Sequence, residues 1–304
     1  MTRPATIVDV ARVAGVSRQT VTRAMHDMAG ISPATRDRVL AAARELNYHP
    51  SRFGRGLVKP AARTLGLLVG DLTNPYYAEL ASTVLRLAGE RGWNVVMAEP
   101  GSVADLTGGA DAVIGFTGLA LDPPATGAPN LPVVEIDPPR VQPGHGRVEF
   151  ERATATRDAV RHLLSRGVRR PVVLDRAGTS ARGRAFAEAF RAEGVEPVPA
   201  DRELGWPDLA GAAPDALVAF NDLDGFRLLR DLASAGVAVP GEVKVVGVDG
   251  LAVGEFVTPR LSTLAIDLTE VAGAALDLVV ELSQGRSEAA VRVVAHRFVA
   301  RDST

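Results

Sequence analysis

The spacing of apolar residues along this 304-residue chain follows one rule up to about residue 50 and another after about residue 64. In the first part Ile7, Val10, Ala11 and Ala14 recur at i, i+3, i+4 and i+7, which puts them on one side of a short helix, and Thr6 with Asp9 makes a capping-box-like start. Gly15 ends that helix. Ser17 can cap a second one, in which Val21 and Ala24 face inward while Arg18, Gln19, Thr22 and Arg23 point outward. Ser32 and Pro33 open a third, whose Val39, Leu40, Ala43 and Leu46 cover the first two. The pattern predicts a three-helix headpiece built on a helix-turn-helix.

After a link at Val58 to Arg63, continuous apolar runs alternate with amphipathic stretches. Strands are expected at Leu65 to Val69, Asn94 to Ala98, Ala112 to Phe116 and Pro132 to Ile136, with a helix from Pro75 to Arg91. A second series has helices at Ala153 to Arg166, Arg182 to Glu193 and Leu223 to Ala235, and strands at Val172 to Leu174, Ala216 to Phe220 and Val243 to Val248. Two such series predict two parallel sheets flanked by helices, an α/β architecture whose ligands sit at the carboxyl ends of the strands.

Charge sharpens the division. Residues 1–63 hold eleven Lys and Arg against four acids, a net +7, which leaves −9 for the rest of a chain whose total is −2. A basic head on an acidic body suits a DNA-binding module attached to a domain that should not itself bind DNA. In a helix-turn-helix the second helix enters the major groove N-terminus first, so Arg18, Gln19 and Arg23 are candidate base readers. Arginine can read guanine and glutamine adenine, whereas Ser17, Thr20 and Thr22 are better placed for phosphates.

Other chemistry is thin. There is no cysteine, which excludes disulfides and thiolate metal sites. His26, His49, His145, His162 and His296 are dispersed without metal-ligand spacing, and neither a P-loop, a G-x-G-x-x-G nor a G-x-S-x-G signature is present. No cofactor, metal or catalytic residue is therefore expected. Neither a secretory apolar core nor a run of roughly 18 apolar residues is visible, so a cytoplasmic protein without membrane contact is expected.

The headpiece, the segment Asn47-Tyr48-His49-Pro50-Ser51-Arg52-Phe53-Gly54-Arg55-Gly56-Leu57, and the landmarks Asp71-Leu72-Thr73-Asn74-Pro75-Tyr76-Tyr77, Val218-Ala219-Phe220-Asn221-Asp222 and Val245-Val246-Gly247-Val248-Asp249 closely resemble the LacI-type (lactose-repressor) family of bacterial transcription regulators. The resemblance implies a headpiece at 1–49, a hinge helix and linker at 50–63, and a periplasmic-binding-protein-like effector domain at 64–304. The N-lobe would comprise about 64–136 plus 268–292, and the C-lobe about 137–267 plus 293–304. It further implies a homodimeric repressor on a near-palindromic double-stranded operator, with Arg55 in the hinge on DNA and Leu57 wedging into the minor groove. Gly54 and Gly56 disfavour a hinge helix off DNA.

The implied effector is small and polar, such as a sugar or nucleoside. Arg182 in Arg182-Gly183-Arg184-Ala185-Phe186 would clamp it, Asn221 and Asp249 would hydrogen-bond its hydroxyls, Trp206 could stack on it, and Tyr76 and Tyr77 could form the opposite wall. Arg182 as a surface arginine and Trp206 as a core aromatic stay open. The first helix of the domain contributes to dimerisation in the family; here its Leu80, Val84, Leu87 and Ala88 could serve that purpose or pack on the sheet.

Several departures matter. Glu99 to Asp111 and Pro207 to Asp215 are too short and too rich in Pro and Gly for the family's helices, so both helices are expected to be lost or stunted. Glu135 replaces an apolar pocket residue, and Glu151-Arg152 replaces an Asp-Asn pair. Either these face the cleft, in which case Glu135 needs a cationic partner, or they have become surface residues. Two alternatives remain: a constitutive DNA-binding regulator with a degenerate effector site, and a Rossmann-like enzyme with an appended headpiece.

Overall fold

The computed structural model describes residues 7–25, 28–46, 63–99, 109–116, 131–176, 180–285 and 290–304. The hinge positions Arg55 and Leu57, the cap Thr6, and most of the shortened segment after Ala98 lie outside the described residues. The chain divides into two compact units, Met1–Ala62 and Arg63–Thr304.

In the first unit, α1 (Ile7–Ala14), α2 (Arg18–Met25) and α3 (Pro33–Glu45) enclose a core of Val10, Ala11, Ala14, Val21, Ala24, Val39, Ala42 and Ala43. Each buried valine contributes on the order of 1.5–3 kcal/mol. Gly15, at φ +64, closes α1: its N–H donates to Arg12 O, and the Val16 N–H to Ala11 O. That left-handed turn is where a glycine is needed. Arg38 Nε donates to Ala14 O at 3.0 Å and ties α3 to the same turn.

The second unit contains two six-stranded sheets. The first runs β11-β5-β4-β3-β1-β2 and is wholly parallel: β1 (Thr64–Leu68), β2 (Asn94–Ala98), β3 (Ala112–Phe116), β4 (Val133–Ile136), β5 (Gly146–Glu151) and β11 (Val291–Ala295). The helices α4 (Pro75–Glu90) and α9 (Leu268–Ser283) pack side by side on one face. They bury Leu80, Val84, Ala88, Val271, Ala275 and Leu278 against Leu65, Leu67, Ile114, Val134 and Val148. Leu80, Val84 and Ala88 therefore serve the sheet rather than a dimer surface.

The second sheet runs β12-β10-β9-β8-β6-β7: β6 (Pro171–Asp175), β7 (Val198–Asp201), β8 (Ala216–Val218), β9 (Lys244–Asp249), β10 (Ser262–Ala265) and β12 (Arg297–Val299), the last antiparallel to β10. One face carries α5 (Ala153–Ser165) and α6 (Ala181–Ala192); the other carries α7 (Trp206–Leu209) and α8 (Asp222–Ser234). The chain passes between the two sheets after β5, after β10 and between β11 and β12.

Two expectations need correction. The first sheet does not end at residue 136, because β5 pairs with β4 and β11, so the change of lobe falls after Glu151. The last change falls after Ala295 rather than at 292. The physical reason is that β5 and β11 complete each other's ladder at the sheet edge. The segment after Trp206 behaves as its length requires, since α7 is a single turn followed by a 3-10 turn, Ala210–Ala212.

Candidate DNA-reading helix and effector cleft

Ser17 lies immediately before α2, and its Oγ accepts the Thr20 N–H at 3.1 Å. The same oxygen sits 2.9 Å from Thr20 Oγ1, and Thr22 Oγ1 donates to Arg18 O at 3.1 Å. These hydroxyls thus first serve the helix start, with remaining acceptor or donor capacity toward a phosphate. Arg18 and Gln19 are exposed in the first turn, the position from which side chains reach base edges. Arg23 is half-buried and leans over the following loop, close enough that a Cβ at Gly30 would lie 3.1 Å from its Nη1.

The carboxyl ends of the two sheets, together with the crossings between them, bring a second set of groups together. Arg182, in the first turn of α6, donates from Nη1 to Phe220 O at 3.0 Å, while its Nη2 lies 3.5 Å from Asp249 Oδ1. Asp249 ends β9, is 4% exposed and has φ +126. Burial pushes its carboxyl up to about 7, against the pull of Arg182. Tyr76 and Tyr77, at the start of α4 in the other lobe, meet edge-on at 5.3 Å. Burial raises both phenols, and the charges they feel across the cleft include Arg182 and Asp249 for each, with Arg176 also acting on Tyr77.

The two remaining sequence candidates have structural duties. Asn221 caps α8, its Oδ1 accepting the Asp224 N–H at 2.9 Å, which leaves its amide donors for other partners. Trp206 packs half-buried against the apolar cluster of Leu209, Leu217 and Leu232. The aromatic that meets the arginines is Phe220: Arg202, Arg182 and Arg176 stand 4.4, 5.1 and 5.6 Å from its ring centre.

Sequence reasoning missed this ring, although it lies inside a quoted landmark, because it reads as the end of a buried strand. It also missed Arg176, after β6, and Arg202, after β7, whose Nη2 pairs with Asp224 Oδ2 at 2.7 Å.

Of the departures, Glu151, one residue before the N-cap Arg152, accepts the Thr154 N–H of the first turn of α5 at 3.0 Å, and Arg152 pairs with Asp137 and lies 5.4 Å from the Phe150 ring. His296, at the last crossing, is buried beside Phe150; desolvation and the charges of Arg152 and Arg182 hold it neutral, down to about 3. Glu135 is buried with His145 as its partner, Oε2 to Nδ1 at 3.3 Å. Among the described residues no group of three or more His, Asp or Glu could hold a metal, and no helix is long and apolar enough to cross a membrane.

The model for bacterial regulatory proteins of the lacI family matches residues 6–51, and that for a periplasmic binding protein-like domain matches residues 160–304. A LacI family transcriptional regulator from Arthrobacter sp. FB24, solved in complex with lactose, is 32% identical, with a TM-score of 0.73 over 80% of this chain and 100% of that one. This chain belongs to the LacI family. Other LacI-type relatives span nearly its whole length. The HTH-type transcriptional regulator GalR of Salmonella typhimurium (strain SL1344) is 29% identical, over 92% of this chain and 90% of that protein. The lactose operon repressor of Escherichia coli (strain K12) is 25% identical, over 99% and 91%. This member of the LacI family is a DNA-binding transcriptional regulator modulated by a small-molecule effector.

Proposed function

We propose that this LacI-family member is a cytoplasmic, homodimeric repressor that reads a near-palindromic operator through α2 and responds to a small polar effector held between its two lobes. The observation that carries this reading is the pair of open side chains, Arg18 and Gln19, at the start of a capped second helix. A single headpiece reads one half-site, and two copies related by a dyad read a palindrome. Arg55 and Leu57 would add hinge contacts at the operator centre.

In the effector cleft Arg182 and Asp249 would orient hydroxyls, with Tyr76 and Tyr77 closing the opposite wall. Trp206 has less support as a stacking residue, because Phe220 takes the ring position beside Arg182. Effector binding would change the angle between the lobes and so the operator affinity, a two-state coupling between distinct sites.

Selection of bound DNA from a random pool, by the full-length protein and by Leu57→Ala, tests the reading. A palindromic consensus whose affinity falls in the variant supports it. Salt-sensitive binding with no consensus would overturn it.

A further inference from the structure

The reading helix is held near both ends by one neighbour. Arg38 of α3 donates from Nε to Ala14 O in the turn before α2, and Arg36 of α3 donates from Nη2 to Met28 O in the segment after it, each at 3.0 Å. Both are guanidinium-to-carbonyl bonds, the stronger, charge-assisted kind. Met28 in turn gives its N–H to Arg23 O at 3.0 Å, so the segment Met28–Ile31 is fastened to α3 on one side and to the last turn of α2 on the other. Ile31 packs on the headpiece core and fixes the far end of the segment.

Gly30 lies within that segment at φ +94, with only hydrogen where a side chain would stand. A Cβ there would lie 3.1 Å from Arg23 Nη1, tighter than ordinary van der Waals contact, so the guanidinium would have to give way. Arg23 is the half-buried member of the three candidate base readers, whereas Arg18 and Gln19 are exposed. An arginine reads guanine through paired bonds to O6 and N7, which requires its planar fork to arrive at one angle. A side chain already resting in place loses less freedom when it binds.

We infer that Gly30 and Arg36 are positioning residues for base recognition: the segment they build is a shelf that aims Arg23 at one base pair, while Arg18 and Gln19 reach theirs from open solvent. This rests on the operator-reading role proposed above for α2. It also assigns Arg36 to the headpiece scaffold, although in the sequence it reads as one more positive charge on a basic module.

The test is selection of bound DNA from a random pool by the full-length protein, with discrimination measured base by base. Wild type is compared with Arg23→Ala, Gly30→Asn, Arg36→Met and the two double variants that include Arg23→Ala. Asparagine tolerates positive φ better than most side chains yet brings the Cβ, and methionine nearly keeps the reach of Arg36 without its donors. Arg23→Ala should lose about tenfold discrimination at one position of each half-site. Gly30→Asn and Arg36→Met should each lose about threefold at that same position, keep the positions set by Arg18 and Gln19, and change nothing further in the Arg23→Ala background.

Thermal melts establish that each variant is folded; the two act from different elements, so a folding failure in one leaves the other to decide. An unchanged preference at the Arg23 position, or an effect that persists in the Arg23→Ala background, overturns the inference. So does an even loss across all sequences with a flatter salt dependence in Arg36→Met, which would make Arg36 a phosphate contact. The two levels separate cleanly. If Arg23→Ala alters one position and the shelf variants do not, the shelf alone is lost; if the wild type selects no operator, the regulator reading falls with it.

Discussion

Asp249 and Arg182 form an ion pair at 3.5 Å in which the acid is 4% exposed and the base half-buried. Desolvation outweighs the pairing, which is why the carboxyl sits near 7 instead of at its ordinary value of 3.8. The folded state therefore holds a proton on Asp249 that the unfolded chain releases above about pH 4.

A raised acid loses stability as pH rises through that interval. Between pH 5 and pH 8 this single group should remove about 2–3 kcal/mol from the wild type. Asp249→Asn lacks the proton, so its stability relative to wild type should rise by that amount over the same interval, as read by urea unfolding at the two pH values. A constant difference would mean that Asp249 is ionised throughout.

Gly183 shows how tightly the N-terminal end of α6 is built. A Cβ there would fall 2.2 Å from Asp175 Oδ2, and Asp175 is buried while accepting the N–H groups of Arg176 and Ser180. Gly183→Ala should cost about 1–3 kcal/mol in denaturant midpoint and should disturb the loop that carries Arg176. An unchanged midpoint would show that Asp175 swings aside freely.

Two substitutions at the start of α2 should separate two kinds of contact. Arg18→Ala should lose about 1–3 kcal/mol on the preferred operator and relax preference at one base position. Ser17→Ala removes the cap of α2, so it should lower headpiece stability by about 1 kcal/mol and weaken all DNA sequences alike. Specificity profiles from the same selected pool, together with thermal melts, distinguish them.

Glu135 and His145 form a buried polar pair on the sheet face opposite α4 and α9. Removing one partner strands the other, so His145→Leu should cost about 1–3 kcal/mol. The double variant Glu135→Leu/His145→Leu should recover most of that loss, because an apolar pair needs no partner. Additive losses in a double-mutant cycle would show that the two do not act together.

The strands β1, β3, β4, β6, β8 and β9 were legible from apolar runs because buried parallel strands are apolar on both faces, and β2 from its apolar run at the edge, whereas β7, β10, β11 and β12 were not read. The helix-turn-helix was legible because Gly15 and Ser17 mark its turn. β5 was not: Gly146-Arg147-Val148-Glu149-Phe150-Glu151 alternates like a surface strand, and its place depends on pairing with β11, about 145 residues later in sequence. The arginines around Phe220 were legible only in part, since Arg182 sits in a motif while Arg176 and Arg202 meet it through the fold. Asn221 and Trp206 show the converse, with positions that suggest ligand contact and hydrogen bonds or packing that serve the scaffold.

The chain crosses between the sheets three times, and two of those crossings carry Arg152 and His296. Three short straps act together as a flexure would: a tilt about the strip they form strains them least, whereas sliding one lobe past the other would stretch all three at once. Such a joint has a single soft coordinate, the opening angle. With Arg152 and His296 mounted on two of those straps, any change of that angle would carry their side chains with it.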